Sequence, residues 1–68
     1  MEKNWIKIFT SPDYYRSEMV KQVLTEHQID TVLLNKQAYS HRPFGEVELY
    51  IHQENFSNAI EIIILNQI

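Results

Sequence analysis
Phe44-Gly45-Glu46-Val47-Glu48-Leu49-Tyr50-Ile51 contains the only glycine of the chain and opens its cleanest alternation of apolar and polar residues. Val47, Leu49 and Ile51 face one way, while Glu46, Glu48, Tyr50 and His52 face the other, so the stretch reads as a strand with one side in a core. The neighbouring segments must supply what covers that side.

Upstream, Trp5 to Thr10 is short and rich in β-branched and aromatic residues, the pattern of a first strand. Ser11-Pro12-Asp13 then predicts a helix start, with Ser11 able to cap, Pro12 at the first helical position and Asp13 in the positive first turn. At 100° per residue, Met19, Val20, Val23 and Leu24 form one stripe with Ser17 at its edge, and Glu18, Lys21, Gln22 and Thr25 lie opposite. The helix ends near His27-Gln28, where no glycine is present to take a left-handed position. Ile29 to Leu34 reads as a second strand, and Lys36 to Pro43 as a polar loop longer than a tight hairpin needs. Downstream, Phe56, Ala59, Ile60 and Ile63 have the spacing of a core-facing helix. The run Ile62-Ile63-Ile64-Leu65 also suits a fourth strand beginning at Glu61, but the unbroken pattern from Phe56 favours the helix.

The order β-α-β-β-α predicts an α+β fold of half-ferredoxin-like type. The crossover leaves the first two strands parallel, the third is inserted antiparallel between them, and both helices lie on one face of a three-stranded antiparallel/mixed sheet. Strict alternation then turns Ile6 and Ile8 towards the helices and leaves Trp5, Phe9 and Tyr50 on the open face, together with either Thr31 and Leu33 or Val32 and Leu34. Three large aromatics make a patch at or above the few hundred Å² usual on a monomer. Self-association through Trp5, Phe9 and Tyr50 is the expected result, with a ligand groove on the same face as the alternative.

Composition supports that expectation. A single domain of 68 residues has a marginal core. With no cysteine, neither disulfides nor thiolate-bound metal can reinforce it, which leaves oligomerisation. The N-terminal run is too polar for a signal-peptide core, and no apolar stretch approaches a membrane span, so a soluble cytoplasmic protein is expected. A net charge of -3, with six scattered basic residues, removes the electrostatic basis for binding nucleic acid or an anionic membrane.

Candidate chemistry is sparse. Glu46 and Glu48 share a strand face, but the simplest reading is a solvated surface with Glu48 opposite Lys7. His27, His41 and His52 lack metal-ligand spacing, and His27 suits a helix C-terminus. Ser11, Ser17, Ser40 and Ser57 lack a nucleophile elbow, and one glycine cannot form a phosphate loop. The sequence therefore predicts no catalytic residues, no metal, no cofactor and no enzyme. One constellation remains: the start of the first helix and the 36–43 loop emerge at the same end of the sheet. Ser11, Lys36, Tyr39, His41 and Arg42 thereby supply the ingredients of a small anion site, opposed by the charge of Asp13.

Ile8-Phe9-Thr10, Ser17-Glu18-Met19-Val20-Lys21 with Val23-Leu24, Ile29, Asn35, Gly45-Glu46-Val47-Glu48-Leu49 and Ala59-Ile60 together resemble a family of small prokaryotic signal-transducing proteins. The resemblance spans nearly the whole chain and implies a bacterial α+β domain similar to half of the nitrogen-regulatory PII proteins. It implies no established activity. In PII proteins the loop between the second and third strands touches partners, and Lys36 to Phe44 holds the equivalent place in a much shorter form. Gln28 stands where the family usually has glycine, and these 68 residues, which hold no cysteine, contain no zinc ribbon. The expected function is a homodimeric regulatory or protein-interaction module, with small-molecule or anion sensing at the 36–43 loop as the alternative.

Overall fold
The computed structural model describes residues 4–36 and 46–66. The elements run β1 (Trp5–Ser11), α1 (Tyr14–Glu26), β2 (Thr31–Asn35), β3 (Val47–His52) and α2 (Phe56–Leu65), with a 3-10 turn at Gln53–Asn55 leading into α2. The sheet order is β1-β3-β2, with β3 antiparallel to both neighbours. This is the α+β, β-α-β-β-α arrangement that the element order predicts.

The core lies on the Val47, Leu49 and Ile51 side of β3, whose side chains are fully buried beneath Val20 and Leu24 of α1 and Ala59 of α2. On α1 the inward stripe is Ser17, Val20 and Leu24, whereas Met19 stands 41% exposed at its rim. The buried hydroxyl of Ser17 donates to the Asp13 carbonyl at 3.0 Å, which removes the cost of placing it there. α2 remains helical through Leu65, so the segment from Glu61 to that point is not a fourth strand. Its phase differs from the expected one. Ala59, Ile62 and Ile63 pack on the core, while Phe56 is 46% exposed. Isoleucines at 60, 62, 63 and 64 make the helix apolar almost all round, so spacing alone does not select the buried stripe.

Both ends of α1 depart from the expected chemistry. Asp13 is the N-cap, its carboxylate accepting from the Arg16 N–H at 3.1 Å, while Ser11 Oγ accepts from the Asp13 N–H at 3.0 Å. Ser11 thus braces the residue that caps, and Pro12 lies one position outside the helix. At the other end Gln28 itself takes the left-handed conformation, with φ 63°. Its N–H bonds to the Thr25 carbonyl at 2.9 Å, and the Ile29 N–H bonds to that of Leu24 at 3.0 Å. This is a Schellman ending, closed by the buried contact of Ile29 with Leu24. His27 is exposed, and its Nδ1 donates to the Val23 carbonyl at 2.9 Å.

The largest correction concerns β1. The pairing runs Trp5–His52, Ile6–Ile51 and Lys7–Tyr50, then resumes at Phe9–Leu49, Thr10–Glu48 and Ser11–Val47, leaving a bulge at Ile8. Directly opposed residues share a face, so every residue beyond the bulge is flipped from its place in strict alternation. Phe9 therefore lies with Leu49 and packs against the core beside Ile6 and Ile8, not on the open face with Trp5 and Tyr50. The bulge buries two adjacent apolar side chains at once. It also turns Thr10 outward, where its hydroxyl donates to Glu46 at 2.9 Å.

Candidate functional site: the face of the sheet opposite the helices
The register settles what the open face carries. Val32 pairs with Tyr50 and Leu34 with Glu48, so these four share a side with Trp5, Lys7, Thr10 and His52; Thr31 and Leu33 face the helices. Trp5 and Tyr50 thus stand where the alternation puts them. At one end Trp5 lies over the directly opposed His52, with ring centroids 3.9 Å apart and planes 34° apart. Both are half-buried, as are Tyr50 and Leu34, while Val32 is 37% exposed.

The centre of the face is a buried carboxylate. Glu48 is only 5% exposed, although it points away from the helices. Tyr50 Oη donates to its Oε1 at 2.8 Å, Lys36 Nζ lies 3.2 Å from the same oxygen, and Lys7 Nζ lies 3.4 Å from Oε2. One partner comes from β1, one from β3 and one from just beyond β2, so the network ties all three strands together on the side opposite α1 and α2. Burial is the largest single influence on the Glu48 carboxyl and opposes its ionisation. The hydrogen bonds from Tyr50, Lys36 and Lys7 together outweigh it and hold the carboxyl below its ordinary range. The same bond, followed by burial, raises the Tyr50 phenol above its usual value. An ion pair of Glu48 with Lys7 is legible in the sequence, but Lys7 stands opposite Tyr50 and reaches Glu48 on the diagonal, and the desolvation of Glu48 and its second lysine are not legible.

The predicted anion-site residues fall as follows. Ser11 and Asn35 both oppose Val47 on β3, so the start of α1 and the exit of β2 do share one end of the sheet. Ser11 Oγ is engaged by the Asp13 N–H, the first turn of α1 is capped by the Asp13 carboxylate, and Lys36 reaches Glu48. Tyr39, His41 and Arg42 lie outside the described residues. Among the described residues, no group of three metal-ligating side chains comes together, and no helix is long and apolar enough to cross a membrane.

Family models, curated proteins and solved structures give no match to this chain.

Proposed function
We propose that this protein is a regulatory or protein-interaction module of bacterial signalling, cytoplasmic and without enzymatic activity, that works as a homodimer through the face of its sheet opposite the helices. The observation that carries the reading is the composition of that face. Trp5, Tyr50, Val32 and Leu34 form apolar ground around a carboxylate whose hydrogen bonds are made within the chain. A partner covering the face leaves no buried charge unpaired, because Glu48 keeps its own donors while the half-exposed lysines remain at the rim. Trp5 and Tyr50 are already half-buried, so covering what remains of each favours association by about half of the roughly 1.5–3 kcal/mol of full burial. The resemblance to small signal-transducing proteins supports the reading at the level of fold analogy.

Phe9 is no longer part of the proposed surface, so its substitution tests folding and not association. Trp5→Glu is the informative variant. Sedimentation equilibrium of the wild type is expected to show the mass rising towards two chains as concentration passes through the micromolar range. The variant, folded by circular dichroism, stays at one chain there. A wild type that remains a single chain up to millimolar concentration, or a variant that associates as the wild type does, overturns the proposal.

A further inference from the structure
On the helix side of the sheet, away from the proposed dimer face, a groove of about 400 Å³ runs between the turn that ends α1 and one flank of α2. Sites for small molecules span about 300–1,000 Å³, so the groove is large enough to hold one. Asn58, Glu61, Ile62 and Leu65 stand at i, i+3, i+4 and i+7 of α2 and make one wall. The turn from His27 to Ile29, fixed by its Schellman bonds, makes the other.

The lining has an apolar part and an acceptor part. Ile29, Ile62 and Leu65 supply the first, and Leu65 is left 73% exposed there. Glu61 supplies the second. It takes part in neither of the ion pairs found among the described residues, both of which go to Glu48. The Asn58 side chain, one turn before it, offers a carbonyl oxygen. His27 donates from Nδ1 to the Val23 carbonyl, and a neutral imidazole bonded in that way keeps Nε2 as an acceptor. The C-terminal end of α1 adds partial negative charge, and no basic residue stands in its last turn. No lysine or arginine is among the described residues that line the groove.

We propose that this groove binds a small aliphatic primary amine in its ammonium form, with the ammonium at Glu61 and Asn58 and the hydrocarbon chain along Ile29, Ile62 and Leu65. The argument for that occupant is complementarity of charge and of polarity. An ammonium carries three donors and no acceptor, which suits a wall of acceptors, and an alkylamine is protonated at neutral pH as a lysine side chain is. A carboxylate on the same chain meets Glu61 and the α1 terminus with like charge, and an alcohol gains only the apolar contact. The groove lies on the opposite side of the sheet from Trp5 and Tyr50, so the proposal stands whether or not the chain dimerises.

The test is an amide-resolved NMR titration of the full chain at neutral pH and constant ionic strength, with hexylamine, hexan-1-ol and hexanoate as probes. Hexylamine is expected to give saturable shifts centred on residues 27–29 and 58–65, with a Kd on the order of millimolar. Hexan-1-ol binds the same residues more weakly, and hexanoate does not bind. Glu61→Gln, a change at an exposed position, weakens hexylamine by about threefold to fivefold and leaves hexan-1-ol unchanged, whereas Leu65→Ser weakens both. N-acetyl-lysine methylamide, which presents an ammonium as a partner protein does, binds less tightly than hexylamine. No saturable shift with hexylamine at tens of millimolar, hexanoate binding as well as hexylamine, or hexylamine binding indifferent to Glu61→Gln overturns the proposal. Lysine methylamide binding as tightly as hexylamine overturns the assignment to a free amine.

Discussion

Replacing Glu48 by glutamine keeps the shape of the side chain and removes its charge, and the structure gives a magnitude for the loss. The two lysines are about half exposed, at 48% and 52%, so each contact is worth only about 0.2–1 kcal/mol, as for surface pairs. The new amide N–H points at an ammonium and finds no acceptor, which costs about 1–3 kcal/mol at a site this buried. Relief from burying a charge returns part of that, leaving a net loss of about 1–3 kcal/mol. For a domain of this size the melting midpoint then falls by roughly 5–20 °C. Glu48→Leu removes the charge and the orphaned group together, and the half-exposed lysines turn to water, so it is expected within about 1 kcal/mol of the wild type. The glutamine variant should be the less stable of the two. The pH dependence follows from the direction of the Glu48 shift. A carboxyl held below its ordinary range binds fewer protons folded than unfolded, so its contribution is complete above the unfolded value and disappears as pH falls through the folded one. The gap between wild type and Glu48→Gln is therefore widest near neutrality and closes in the acid region, below about pH 4. Thermal melts between pH 3 and pH 7 decide it. Equal midpoints at neutrality, or a gap that does not change with pH, would refute the account of Glu48 as a paired buried carboxylate.

The two ends of α1 give further tests. Asp13→Ala should destabilise the protein by about 0.5–2 kcal/mol in chemical denaturation, and Ser11→Ala by less, because Asp13 and not Ser11 caps the helix; the reverse order would return the cap to Ser11. Gln28→Gly relieves a left-handed residue that carries a side chain, against the greater freedom of glycine in the unfolded chain, so the midpoint should rise by a few degrees. A lower midpoint would show that the Gln28 side chain contributes more than its backbone conformation costs.

Local patterns along the chain are enough to read the elements, their order and the sheet topology. Strand alternation in Val47–Ile51, the start signals before Tyr14 and the Phe56 spacing are local periodicities, and a β-α-β-β-α order leaves few ways to pair three strands. Even the isoleucine-rich tail was legible as helix from its continuity with Phe56. The rest depends on contacts that exist only in the folded chain. Alternation places Phe9 outward, but burying Ile8 and Phe9 together requires the bulge, and that gain exists only once the helices cover the sheet. Glu48 looks like an ordinary exposed acid because its donors, Lys7, Lys36 and Tyr50, come from separate segments of the chain, and burial is a property of the assembled face. Gln28 is left-handed without being glycine because the local Schellman bonds to Thr25 and Leu24 offset the backbone cost, and the packing of Ile29 on Leu24 that closes them is buried only in the assembled core.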